Sequence, residues 1–472
     1  MVETLRPDLC ILGDSAAGLH AAFLAAAFGV PVVLVTGRNP GLAPQRDRML
    51  ALYALRAVAQ TAATIRHAPS RGLDATLATI DRPHILDHVR RIEEMTAPRD
   101  GLARFRALGV RVIESAARFD NPTTLRTDSS LITARRFIIA DAPVAQAPIP
   151  NALDEINCLT FDQVLDGDYI PNALTILGGD ARAMALAQAL ARLDVVTHVI
   201  ADGDLLPRDD PEMTAIISHA LQRDGVTFHT GTTVQSVTRV DGDRLRLGLA
   251  NGAIVETRAV LLSQPMGRDL DDLGLAAAGI GSHAGGICVD HRLRTDNKAI
   301  FAIGPVAALP SSDTVHSGRA QAECVIKQVM FRLPVGFEPL AMPRVVATAP
   351  ELATIGLTEA GARARAGSIS VLRSPFAGND RARADHQSGG HAKILLDRRG
   401  RLLGASLVGS DASSLIAPWT SWLGRKPEAL RRAQAPYPSL AETPSRALAE
   451  SYAPLARSRL IRMTSAFLRW WG

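Results

Sequence analysis

Only four lysines occur in 472 residues (Lys298, Lys327, Lys393 and Lys426), so the basic side of the chain is almost wholly arginine. The arginines are scattered, and aromatic residues make up only 4% of the chain. A nucleic-acid surface needs a dense basic run with interleaved aromatics, and none occurs, so nucleic acid is not an expected partner despite a net charge of +5. Cysteine is scarce as well. Cys10, Cys158, Cys288 and Cys324 lie far apart with no Cys-x-x-Cys pair, which argues against a zinc site or a sequence-local redox pair. No apolar run reaches the ~18 residues of a membrane span. The N-terminus lacks the charged segment and long apolar core of a secretory signal. The expected compartment is the cytoplasm.

What remains is an ordinary globular composition, with 47% hydrophobic and 21% charged residues. The length suits about three domains. Asp8–Leu12 reads as a short apolar strand, followed by the turn Gly13-Asp14-Ser15-Ala16-Ala17-Gly18, an alanine-rich helix and a second strand at 32–35. That spacing predicts a βαβ unit. A second unit opens at Leu174–Leu177, with the turn Gly178-Gly179-Asp180-Ala181-Arg182-Ala183, a helix and a strand at 195–200. Residues 51–67 and 82–107 have helical period. Residues 224–263 alternate like a β-meander with turns at Gly242 and Asn251-Gly252, and a hairpin is expected around Arg399-Gly400.

Several segments in a fixed order resemble one family: AQALARL and LLPRDDPE within 187–212, RLRTDNKAIFAIGPVA at 292–307, MPRVVATAPELATIGLTEAGARA at 342–364, KILLDRRGRLLGASLVG at 393–409 and PYPSLAE at 436–442. On these the chain is similar to the class I FAD/NAD(P)-dependent pyridine nucleotide-disulfide oxidoreductases, the group of mercuric reductase and dihydrolipoamide dehydrogenase. The resemblance implies an α/β fold with two Rossmann-like domains. An FAD-type domain (1–143 and 264–338) would be split by an inserted NAD(P)-type domain (144–263), followed by an α+β dimerisation domain (339–450). A basic amphipathic tail covers 451–472. A homodimer is the implied assembly.

The same resemblance exposes departures at the sites. The family's Cys-x-x-x-x-Cys redox pair belongs after the second strand, and residues 37–60 hold no cysteine. The FAD fingerprint is reduced to Gly13, Ser15 and Gly18. Thr36 stands where an acid would meet the adenosine ribose, and the Gly-Asp that would meet the ribityl chain is Gly304-Pro305. Ala140-Asp141-Ala142 replaces a segment that relatives write Ala-Thr-Gly. In the NAD(P) fingerprint Gly178 and Ala183 fit, but the third position is Asp180, whose charge would oppose a diphosphate. Ala185 stands for a glutamate, Ala201 (beside Asp202) for an acid, and Ser263-Gln264-Pro265 for a second Ala-Thr-Gly. The family's C-terminal acid–base pair corresponds to Tyr437 and Glu442.

The expectation is a pseudoenzyme kept as a dimeric scaffold or partner subunit, with NAD(P) not bound and no dithiol chemistry. The alternative is a flavin-dependent NAD(P)H oxidoreductase that retains FAD at Gly13–Gly18 and works without a cysteine pair. His84 and His88, four apart, read as exposed helix histidines, and Asp385, His386 and His391 as a polar loop. In the tail, Leu460, Met463, Phe467 and Trp471 fall near helical spacing. A protein partner, a membrane surface or its own dimer could cover them.

Overall fold

The computed structural model describes residues 2–36, 48–77, 79–140, 153, 156, 158–166, 170–263, 270–283, 285–310, 314–432, 434–450 and 459–471. The strand Leu9–Leu12 is buried at all four positions, as a strand covered on both faces must be. It forms the middle of a parallel five-stranded sheet in the order Ile300–Ala302, Arg136–Ile139, Leu9–Leu12, Val32–Val35, Arg111–Ile113. The helix Ala16–Ala27 crosses over between Leu9–Leu12 and Val32–Val35 and packs on the helix Val315–Phe331. The small sheet of Glu3–Leu5, Ser130–Ile132, Thr124–Thr127 and Ala117–Asn121 lies beside it.

The second unit repeats this plan. Ala173–Leu177 lies between Ala259–Leu262 and Val196–Ala201 in a parallel sheet closed at the edge by Val226–Thr230. Only Val234–Arg239, Leu245–Leu249 and Ile254–Thr257 form an antiparallel meander. The alternation over 224–263 therefore runs through two sheets, because its first and last strands pair with residues far away in the chain. The helical stretch 82–107 also differs: it is two helices, Arg82–Asp100 and Leu102–Ala107, parted at Gly101, whose backbone is extended (φ −73°, ψ 141°). Glycine carries no side chain to hold it in the helix, so the break falls there.

The C-terminal sheet is antiparallel, in the order Arg344–Val346, Glu351–Gly356, Leu402–Gly409, His391–Asp397, Ile369–Pro375. One hydrophobic core joins the helices Met49–His67 and Arg82–Asp100 to the helix Ala181–Arg192 and to Val346 and Leu352 of this sheet. The second unit is thus anchored to both of its neighbours. Among the described residues no helix is long and apolar enough to cross a membrane.

Candidate functional site

The two glycine turns are built alike. Gly13 has φ +110° and donates its N–H to Val35 at 2.8 Å, so the chain reverses directly over the strand end. A Cβ on Gly18 would lie 2.2 Å from the Gly13 carbonyl oxygen, so this position admits glycine alone. Ser15 caps the helix: its Oγ accepts from the Gly18 N–H at 3.4 Å and donates to the Ala140 carbonyl. No acid stands in the helix's first turn, which leaves an N-terminus suited to an anion. Thr36 is buried, with its N–H on the Ile113 carbonyl. Gly304 (φ +72°) packs against Ala17, but its N–H donates to the buried Gln321 Oε1 at 2.7 Å, and Pro305 has no N–H to give. The turn has the shape for a diphosphate. The Gly304-Pro305 end lacks a free donor for a ribityl chain, so FAD fits here at one end and not at the other.

In the second turn Gly178 (φ +122°) donates to the Ile200 carbonyl at 2.8 Å. Asp180 caps the helix Ala181–Arg192. Its Oδ1 accepts from the N–H groups of Arg182 (2.9 Å) and Ala183 (3.0 Å), and its Oδ2 accepts from Ser263 Oγ at 2.6 Å. The carboxylate therefore occupies the N–H groups that would receive a phosphate. Arg182 folds away, its guanidinium 5.5 Å from the Phe161 ring and bonded to the Ser263 carbonyl. Ala183 and Ala185 are buried in the core, and Asp202 is exposed. The protein's own carboxylate thus sits at the helix start where this turn would meet a phosphate.

The cysteines give no substitute for a redox pair. All four are free. Cys10 is fully buried on Leu9–Leu12, and burial pushes its thiol far above the usual range; Cys158 and Cys324 are pushed up by burial too. A thiol held protonated is a poor nucleophile. Residues 37–47, Asp141, Ala142, Gln264 and Pro265 lie outside the described residues.

Tyr437 and Glu442 do not form a pair. The Tyr437 hydroxyl donates to Asp380 Oδ2 at 3.2 Å, which raises its pKa. Glu442, in the first turn of the helix Glu442–Ala449, accepts from the Ser439 N–H at 3.1 Å and pairs with Arg446 at 2.7 Å, so it ties the helix to the loop before it. His84 and His88 are exposed on Arg82–Asp100, and the Asp87 between them pairs with Arg90.

A charged cluster was missed in the sequence. Lys393, 2% exposed, reaches Asp210 (2.8 Å), Glu212 (2.7 Å) and Glu359 (2.8 Å). Burial works against the ammonium, but its three hydrogen bonds outweigh that and raise its pKa. Arg373 grips Glu212 with two bonds of 2.8 Å, and His391 lies 2.9 Å from the same carboxylate. The hydrogen bond from Arg373, followed by those of Lys393, brings Glu212 down to about 2. The one available signal was a lysine inside the apolar run HAKILL of a lysine-poor chain.

Residues 7–324 match the pyridine nucleotide-disulphide oxidoreductase family, and residues 342–448 match the dimerisation domain of the same family. The chain belongs to this family. It is 27% identical over 451 residues to a mercuric reductase of Bacillus cereus, covering 92% of this chain and 70% of that protein. Against a mercuric reductase of Streptomyces lividans it is 28% identical over 459 residues, covering 92% and 94%. A dihydrolipoyl dehydrogenase of Thermus scotoductus shares 29% over 458 residues, covering 92% and 95%. Among solved structures, LpdA from Mycobacterium tuberculosis superposes with a TM-score of 0.83 at 23% identity, covering 94% of this chain and 99% of that one. The HOCl-induced flavoprotein disulfide reductase RclA from Escherichia coli gives 0.79 at 21%, with the same coverage. These two show the shared fold.

Proposed function

We propose that this protein is a pseudoenzyme of its family, a homodimeric scaffold or partner subunit of the cytoplasm that lacks dithiol chemistry and binds no pyridine dinucleotide. The observation that carries the reading is the Asp180 carboxylate, seated on the first N–H groups of Ala181–Arg192 and fixed by Ser263. The absence of any cysteine from 37–60 supports it, since disulfide exchange needs an attacking thiolate and a resolving sulfur. In this reading 1–143 with 264–338 is the FAD-type domain, 144–263 the inserted one and 339–450 the pairing one. Gly178 and Ala183 are relics of a dinucleotide turn, and Tyr437 and Glu442 are structural.

A second reading has one observation in its favour. The Gly13–Gly18 turn keeps a glycine where nothing larger fits, together with a helix start free of acid. FAD held at the Gly13, Ser15 and Gly18 turn, with Thr36 and Gly304 lining the cleft rather than donating to it, would make the protein a flavin-dependent NAD(P)H oxidoreductase working without a cysteine pair. Bound there, FAD would supply electron transfer.

Calorimetry with NADH and NADPH is the decisive measurement. The wild type should show no binding below millimolar concentration, while Asp180→Gly, which gives up the cap and the Ser263 bond for about 1–2 kcal/mol of stability, should recover it. Sub-millimolar binding by the wild type overturns the reading. A near-stoichiometric flavin absorbance band in the untreated protein would support the second.

A further inference from the structure

The helix Arg459–Trp471 begins beyond residue 448, where the match to the dimerisation domain ends. At about 100° per residue, positions 460, 463, 467, 470 and 471 share one face. Positions 461 and 468 widen that face to about half the circumference, and 462, 465 and 469 (Arg, Ser, Arg) lie opposite. The apolar side chains are uncovered: Met463 is 69% exposed, Phe467 53%, Leu468 68%, Trp470 82% and Trp471 76%. The Phe467 ring lies beside its own helix's indoles, with ring centroids 5.6 Å from Trp471 and 6.4 Å from Trp470. Residues 451–472 carry Arg457, Arg459, Arg462 and Arg469, with no aspartate, glutamate, lysine or histidine.

We propose that this helix lies in the surface of an anionic phospholipid bilayer. Its thirteen residues rise about 20 Å, short of the ~30 Å needed to span a bilayer, so it can lie only in the plane. A groove on another protein covers a stripe of about 100°. A half-immersed helix covers half its circumference, which is the width seen here. The charge fits the same occupant: arginines on the polar face meet anionic headgroups, while indoles sit at the boundary between acyl chains and water. The inference stands apart from the fate of the nucleotide sites.

The test is co-sedimentation of the full chain with phosphatidylcholine vesicles, with and without phosphatidylglycerol. Binding should require the anionic lipid, weaken with salt and shift the tryptophan emission to the blue through Trp470 and Trp471, since Trp419 is already buried. Each arginine contributes about fivefold in affinity, so Arg462→Gln with Arg469→Gln should weaken binding about 25-fold. Phe467→Glu with Trp471→Glu, at exposed sites that leave folding intact, should abolish it, as should truncation after Glu450. Failure of the wild type to sediment with phosphatidylglycerol vesicles overturns the proposal, and so does undiminished binding by the Phe467/Trp471 variant. If truncation instead lowers the mass seen by light scattering, a second copy of this chain covers the helix and the proposal falls.

Discussion

The two glycine turns share a backbone and differ in the charge of their third residue. In each, the third residue caps the crossover helix and ties it to the residue after the neighbouring parallel strand: Ser15 to Ala140 and Asp180 to Ser263. Serine does this by taking the Gly18 N–H and bringing no charge to the start of Ala16–Ala27. Aspartate does it by becoming the anion. On the proposed reading a site is closed without disturbing the fold that frames it, because the carboxylate satisfies the same donors that a phosphate would.

The largest effect is expected where the second unit is bolted to the C-terminal sheet. Lys393→Met leaves Asp210, Glu212 and Glu359 together without their shared cation and should cost about 3 kcal/mol, the low end for a broken buried network because Glu212 is part-exposed. The pH dependence follows from Glu212. Its folded pKa is depressed to about 2 from 4.5, so its contribution is present above 4.5 and lost as pH falls toward 2. Urea unfolding from pH 7 to 3 should show this acid limb, and Lys393→Met should shrink it without abolishing it, since the Arg373 bond is the larger cause. A wild-type stability flat to pH 3 would refute the network's role.

Exchanging the third residues tests the comparison directly. Asp180→Ser turns the second site into a copy of the first and removes a charge lying about 4 Å from where a diphosphate would sit. NADPH affinity should rise on the order of a hundredfold, a discounted value for a solvent-screened site. No gain would mean that the turn fails for another reason, such as Arg182 or Ala185.

The sixth positions sharpen the contrast further. Gly18→Ala sets a Cβ against backbone that cannot move aside and should cost about 2 kcal/mol, despite alanine's better helix propensity. Ala183→Gly, in the second turn, meets no clash and should cost only what helix propensity (about 1 kcal/mol) and one buried methyl (about 0.8 kcal/mol) contribute. A Gly18→Ala protein as stable as the wild type by urea unfolding would mean that the first turn is no tighter than the second.

The turns themselves were legible in the sequence because their signals are local: apolar runs, glycines and a capping residue within a few positions. What the proposed closure of the second site rests on was only half legible. The charge of Asp180 could be read, but its partner Ser263 lies 83 residues on. The Lys393 cluster joins residues 183 and 181 apart, and no periodicity reports such a pairing. The parallel edges Val226–Thr230 and Ala259–Leu262 hid for the same reason, since alternation says that a strand exists and not which sheet it enters.

The smallest effect is the most direct measure of the one charge. Ser15→Ala removes a neutral cap whose bond to Gly18 is long, 3.4 Å, and frees the Ala140 carbonyl, for a cost of about 1 kcal/mol. Asp180→Ala removes a carboxylate holding two N–H groups near 3 Å and a hydroxyl at 2.6 Å, bonds that charge makes stronger, for about 2 kcal/mol. The expected difference of about 1 kcal/mol is readable as a shift in urea midpoint at constant slope. It should shrink in Asp180→Asn, which keeps the geometry of the cap and loses the charge. If the Asp180→Asn protein proves as stable as the wild type, the stabilisation comes from shape alone, and only the repulsion of a diphosphate is left to explain a closed site.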